Sequence, residues 1–361
     1  MALRLSTSAL WDFHDRPHNH NLVAGPWSSF FERSMTWGRT RAQSSCLSTG
    51  RTTTILRSAE ATAQPDSKEL SEEALVVAAR AQAAAGLGTL AHPEETKVDL
   101  EQIVLSAETR TLLDELLSYA RHREELVAEW GFCDTLSYGL GVTALFVGPP
   151  GTGKTLAATA IAKTLGQELY RIDLAQLVSK YIGETEKHLG AVFDAAQQGE
   201  VMLLFDEADS LFGKRTEVKS SVDRYANLEV NTLLQRVERF EGVVVLTTNH
   251  EKGIDEAFAR RIRFRVAFDD PDATARRHLW RALLPAQVPL AADVDLDLLA
   301  ERYELSGGHI KEVALRAASL AKAAGTAVHQ LHLLRSAEAE YRKLGKLSLA
   351  EREPPFRGRK E

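Results

Sequence analysis

The sequence predicts an α/β fold: a parallel sheet with helices on both faces, followed by a small C-terminal all-helical domain. Three observations carry this. Short apolar runs, among them Val142–Val147, Val201–Phe205 and Gly242–Thr248, alternate with longer helical stretches. The first of these runs leads through a glycine-rich turn into an Ala-rich helical run. After Pro271 the strand signals stop and only helical periodicity remains.

At 361 residues the chain is long enough for a sizeable core and about two domains. Its net charge of −6 argues against a general nucleic-acid or membrane-surface binder, though not against a local basic channel. Cys46 and Cys133 offer neither a disulfide framework nor metal-ligand spacing. That fits a reducing interior, and the expected location is the cytoplasm. No apolar run approaches the ~20 residues that span a membrane.

Residues 1–65 are rich in Ser, Thr and Arg, lack Lys and show no sustained period. They read as a disordered or irregular segment. A targeting segment and the remnant of an N-terminal domain are the alternatives. Asp12, Asp15 and the cluster His14, His18 and His20 count against targeting. Residues 66–96 read as helix and linker: Ser71-Glu72-Glu73 caps a run from Ala74 to Ala85, Gly86 and Gly88 stop it, and 89–98 is a linker containing Pro93. Residues 97–270 form the expected α/β domain. Ser106 starts its first helix, with Glu108 in the first turn. The helical domain, 271–346, has runs at Ala273–Leu284, Leu296–Tyr303, Gly308–Ala324 and Val328–Leu344. Residues 347–361 are a charged tail.

The glycine-rich turn is Gly148-Pro149-Pro150-Gly151-Thr152-Gly153-Lys154-Thr155, which fits the phosphate-binding pattern G-x-x-x-x-G-K-[ST]. Strand before and helix after are the context that the pattern needs. Glycines let the backbone curl so that several N–H groups face one phosphate, and the helix N-terminus adds partial positive charge. Lys154 is expected on the β- and γ-phosphates and the Thr155 hydroxyl on Mg²⁺. Leu156, next in the helix, is counted with the nucleotide-binding set.

Asp206 and Glu207 stand where an apolar strand ends, the place where open α/β sheets bind ligands. Adjacent acids can divide the work: Asp206 for the metal, Glu207 to polarise the attacking water. A solvated helix start is the bland alternative. Asn249 ends the strand Val243–Thr248. Its amide could hydrogen-bond the γ-phosphate and orient the water with Glu207, although an Asn after a strand is more often a turn residue. Arg260 and Arg261 follow Asp255-Glu256-Ala257-Phe258-Ala259. A guanidinium reaching a neighbouring subunit's γ-phosphate would stabilise transition-state charge, although a paired Arg is more often surface charge.

Taken in order, GPPGTGKT, LLFDEAD, TTNH and DEAFARRIRF resemble an AAA+ ATPase from about residue 97 to 345. The resemblance implies Walker A at 148–155, Walker B at Asp206 and Glu207, sensor 1 at Asn249 and arginine fingers at Arg260 and Arg261. It implies ATP and Mg²⁺ as cofactors, and a ring, usually a homo-hexamer, with ATP between subunits. The nearest likeness is to katanin- and spastin-like remodelling ATPases and to compact bacterial relatives, some tied to contractile injection systems. Lys180-Tyr181-Ile182-Gly183 is similar to the family's first pore loop. An aromatic ring there could grip an extended polypeptide by apolar contact, or Tyr181 could simply pack locally. The loop 213–223, with Lys214, Arg215 and Lys219, falls at the second pore loop.

The chain departs from the pattern near Ser306-Gly307-Gly308. Where many relatives place a sensor 2 Arg, Lys311 stands, a shorter-reaching point charge that either touches the γ-phosphate or is exposed. Gly308 could instead let the backbone approach the nucleotide. Ala259 replaces an Arg that some relatives have before the finger pair. The leading reading is an ATP-hydrolysing ring that remodels a protein through a Tyr181-lined pore. A nucleic-acid loader or translocase and a non-catalytic ATP-binding scaffold are the alternatives. Aromatic Tyr181 and net acidity disfavour the first, and the intact set Lys154, Asp206, Glu207, Asn249 and Arg260 disfavours the second.

Overall fold

A computed structural model of the chain describes residues 80–81, 84–132, 140–172, 185–209, 232–249 and 259–346. The chain divides into two compact units, Met1–Gly88 and Thr89–Glu361. In the first, residues 84–87 are helical; most of the helix expected over Ala74–Ala85 lies outside the described residues. The second unit holds everything that follows.

Its sheet has six strands: β1 (Ala91–Glu94), β2 (Val142–Val147), β3 (Leu169–Ile172), β4 (Met202–Phe205), β5 (Val243–Thr248) and β6 (Phe264–Ala267), in the order β1-β3-β4-β5-β2-β6. All pairings from β3 to β6 are parallel, as expected for strands separated by helices. The central strands β2, β4 and β5 are buried at every residue, which explains why they read as unbroken apolar runs rather than alternating ones.

Strand β1 corrects the reading of residues 89–98 as a linker. It pairs antiparallel with β3, and Pro93 stands opposite Tyr170. Pro cannot donate to a ladder, so it is tolerated because β1 is the edge strand, with one neighbour among the described residues. Only Ala91 of the four is buried, so no periodic signal marks the strand. Across this pair Glu94 meets Arg171, Oε1 to Nε at 3.1 Å.

Helices cover both faces. On one, Leu113 and Leu116 of α1 (Ala107–Ala128) and Ile161 of α2 (Lys154–Leu165) share a core with alternate strand residues, among them Ala144, Phe146 and Val245. Alanines at 157, 158, 160 and 162 let α2 sit against the sheet. The Ser106 hydroxyl caps α1 by accepting the Thr109 N–H at 3.1 Å, and the Thr109 hydroxyl donates to Ala267 O at 2.8 Å, tying the helix start to β6. On the other face, Phe193 of α3 (Thr185–Gly199) stacks on Phe205 of β4 with ring centres 5.9 Å apart and meets Phe240 edge-on at 5.4 Å.

After β6 come α4 (Ala273–Leu283), α5 (Leu296–Arg302), α6 (Gly307–Ala324) and α7 (Gln330–Lys343). They enclose a second core around Trp280, Leu299, Tyr303, Ile310, Leu333 and Tyr341. Asp272 and Asp295 cap α4 and α5 through the N–H groups of Ala275 and Leu298. The run expected to start at Val328 becomes helical only at Gln330. Val328 instead bridges Leu290 in parallel, and its N–H donates to Pro289 O at 2.8 Å.

Candidate active site

Strand β2 lies between β5 and β6, so the turn leaving it opens where connections diverge to opposite sides of the sheet. The Gly148 N–H donates to Thr248 O at 3.2 Å, carrying the β2–β5 ladder one residue into the turn. At Gly148 a Cβ would lie 2.0 Å from Phe268 O, so only glycine fits. The Thr152 hydroxyl donates to Pro149 O at 2.8 Å and closes the loop. Pro150 and Leu156 are exposed.

Lys154 opens α2 directly after Gly153. Its ammonium donates to Gly148 O at 2.6 Å, Pro149 O at 2.8 Å and Asn249 Oδ1 at 2.9 Å. The residue is buried, and desolvation pulls its pKa below the ordinary value. The carboxylates of Asp206, Asp209 and Glu207 act in the opposite direction and favour the charged form.

The Thr155 hydroxyl lies 3.2 and 3.3 Å from the two carboxylate oxygens of Asp206 and donates to them. Asp206 also accepts a 2.6 Å bond from the Thr247 hydroxyl, and Arg171 Nη1 is 3.9 Å from its other oxygen. Glu207 is exposed, and its backbone is left-handed, with φ of +52°. Its N–H donates to the Thr247 hydroxyl at 3.0 Å. Asn249 is fixed by its own backbone, whose N–H donates to Asp209 Oδ1 at 3.1 Å; the Thr248 hydroxyl donates to that same oxygen.

Thr247, Asp209 and Arg171 were not among the candidates that sequence reasoning picked out. A faint signal exists for the first two. Thr247 and Thr248 are polar residues ending an otherwise apolar buried strand, and Asp209 follows the acid pair in the same turn.

The structure brings Gly148–Thr155, Asp206, Glu207 and Asn249 to one end of the sheet. Arg260 and Arg261 are elsewhere. They precede β6, and the Arg263 N–H donates to Thr143 O, near the start of β2, so they lie at the opposite end of the strands. Arg260 is exposed, and Arg261 Nε meets Glu238 Oε2 at 2.9 Å. From α6, the Gly308 N–H donates to Gly151 O at 2.9 Å. Gly151 has φ of +78°, and a Cβ there would lie 2.7 Å from Ser306 Oγ and 3.3 Å from Gly308 Cα. Lys311, one turn further on, is exposed. Lys180, Tyr181, Ile182 and the loop 213–223 lie outside the described residues.

The AAA family, "ATPase family associated with various cellular activities", matches residues 144–270, from β2 to the end of the sheet. These residues are an AAA ATPase domain. The chain is 37% identical over 161 residues to a Cell division cycle protein 48 homolog of Archaeoglobus fulgidus, a match covering 44% of this chain and 22% of that protein. It is 37% identical over 188 residues to the Katanin p60 ATPase-containing subunit A1 of Strongylocentrotus purpuratus, covering 49% of this chain and 36% of that one. A Proteasome-associated ATPase of Kribbella flavida is 33% identical over 193 residues, covering 48% and 33%. The chain spans between 22% and 39% of the length of such curated relatives.

An oxygen pair such as Thr155 and Asp206 suits a small hard cation that takes few protein ligands and fills its shell with water and phosphate oxygens, which is how Mg²⁺ binds. Among the described residues, no cluster of three or more His, Cys, Asp or Glu could hold a metal. No helix among them is long and apolar enough to cross a membrane.

Proposed function

We propose that this AAA ATPase domain hydrolyses ATP between subunits of a ring, usually a hexamer in this family, and uses the energy to remodel a protein substrate in the cytoplasm. The observation that supports this best is the meeting of the Lys154 ammonium, the Asn249 amide, the Thr155 hydroxyl and the Asp206 carboxylate at one sheet end. A phosphate grip, a metal-binding oxygen pair and a polar amide together form the set that phosphoryl transfer to water requires.

In this reading the N–H groups from Gly148 to Thr155 and the start of α2 bind the phosphates. Lys154 exchanges its contacts with Gly148 O and Pro149 O for phosphate oxygens. Thr155 and Asp206 would hold Mg²⁺, which would supply charge neutralisation on the phosphates. Glu207 accepts a proton from the attacking water as that water's oxygen bonds to the γ-phosphorus and the bond to the ADP oxygen breaks. Asn249 orients the water and the γ-phosphate. Gly308, through its bond to Gly151 O, places the helical domain against the nucleotide as a lid, and Lys311 is its candidate γ-phosphate contact.

Arg260 and Arg261 stand a strand's length from their own P-loop, so a catalytic part for either is in trans, on a neighbour's nucleotide. Lys180, Tyr181 and Ile182 are assigned to the pore. The words "ATPase" in the names of the katanin subunit and the proteasome-associated protein support hydrolysis.

The test is Glu207→Gln. The variant is expected to bind ATP as the wild type does and to turn it over at least ~100-fold more slowly, the scale on which loss of a general base is felt. Unchanged turnover removes Glu207 from the reaction.

A further inference from the structure

Residues 206–208 leave β4 in a turn, and a single residue of β5 catches all three of them. The Thr247 hydroxyl donates to Asp206 Oδ1 at 2.6 Å and accepts the Glu207 N–H at 3.0 Å, while Thr247 O accepts the Ala208 N–H at 2.8 Å. Thr247 is 1% exposed, so neither water nor another side chain substitutes easily for these bonds. Glu207 itself sits at φ +52°, a region that non-glycine residues adopt only when their surroundings hold them there.

We propose that Thr247 is a positioning residue for hydrolysis, its hydroxyl setting the carboxylates of Asp206 and Glu207 in one fixed relation. The role rests on the hydrolytic reading of the site. The reason for a hydroxyl is chemical. The carboxylate needs a donor, the N–H needs an acceptor, and one Oγ–H supplies both. By holding the Glu207 N–H, the hydroxyl stabilises the left-handed turn that directs the Glu207 side chain away from the sheet and into solvent. By donating to Asp206 Oδ1, it fixes the orientation of the carboxylate that also accepts from Thr155.

The experiment compares Thr247→Val and Thr247→Ser with the wild type and with Glu207→Gln, reading kcat, KM and ATP affinity by titration with a fluorescent ATP analogue. Val keeps the volume and loses both bonds; Ser keeps both. The expected result is a kcat about 10- to 100-fold lower in Thr247→Val, with nucleotide affinity within about twofold, because misplacement of a reacting group by an ångström costs on that scale. Thr247→Ser is expected to retain kcat within about twofold of wild type. If the valine variant does not fold, Thr247→Cys replaces it, of similar size but a poor hydrogen-bonding group, with the same fall expected. Wild-type kcat in the valine or cysteine variant, or a serine variant as slow as the valine one, overturns the role. Turnover that survives Glu207→Gln, or a wild-type chain with no turnover, overturns the hydrolytic reading and this role with it.

Discussion

The Lys154 ammonium donates to Asn249 Oδ1 at 2.9 Å, joining the phosphate loop after β2 to the end of β5. The bond spans neighbouring strands whose register places Val147 opposite Thr248, so both residues leave the sheet side by side. It orients the amide: with Oδ1 turned to the ammonium, the NH₂ group faces outward as a donor. Asp209 completes the arrangement by accepting the Asn249 N–H.

Replacement of Asn249 by Ala is therefore expected to slow ATP turnover by about 100-fold, the loss that follows removal of one preorganised transition-state donor. Affinity for ATP should change by less than about threefold, because Lys154 and the N–H groups of the phosphate loop remain in place. Steady-state kinetics with a binding titration checks both. A rise in KM with kcat intact would assign Asn249 to ground-state binding instead.

Gly151→Ala is expected to separate the lid from the loop. The new methyl would meet Ser306 Oγ at 2.7 Å, and the backbone at φ +78° disfavours any side chain. The left-handed backbone alone costs about 1–2 kcal/mol. A lower Tm together with weaker ATP binding is the expected pair of readouts, and Gly151→Ala combined with Ser306→Gly should recover part of both. No recovery in the double variant would show that the hydroxyl is not the obstacle.

Arg260→Ala subunits mixed with wild-type subunits test action in trans. Because Arg260 and its own P-loop lie at opposite ends of the strands, each altered subunit should silence a neighbour's site. Activity is expected to fall more steeply than the fraction of wild-type subunits. A straight proportional decline would show that the sites act independently, and no decline at all would place Arg260 outside the reaction. Glu238→Gln, which removes the ion pair with half-buried Arg261, should alter stability by at most about 1 kcal/mol, as such pairs do.

In the helical domain, burial pushes the Tyr303 phenol up to about 12 from its ordinary 10.0, and the adjacent Glu338 carboxylate, which accepts its hydroxyl at 3.1 Å, adds to the shift. The unfolded chain releases this proton near 10.0 while the folded chain keeps it until about 12, so this group's contribution to stability falls as pH rises across that interval. Denaturant unfolding of Tyr303→Phe should show a shallower alkaline decline than wild type. Equal slopes would mean that Tyr303 titrates normally.

Much of the fold was legible from local pattern. Strands β2, β4 and β5 are buried on both faces, so their apolar runs stand out in one dimension, and α4 to α7 carry helical periodicity of their own. Strand β1 was not legible. It is short, buries one residue and contains Pro93, and only pairing with distant β3 makes it a strand. Thr247 and Asp209 were missed for a related reason: their importance lies in hydrogen bonds across some forty residues of chain to another strand's end.

By itself, the sequence determined which chemical groups are available: the glycines and lysine of residues 148–155, the acids at 206 and 207, and the amide at 249. These follow from residue type and from neighbours along the chain, which is where turn geometry and strand endings are encoded. Only the tertiary structure decided how those groups face one another. The β2–β5 register set Lys154 against Asn249, the turn after β4 set Asp206 and Glu207 around one threonine hydroxyl, and the parallel sheet put Arg260 at the far end from its own phosphate loop. Such relations depend on strand order and register, which arise from the whole chain minimising buried, unpaired polar groups at once.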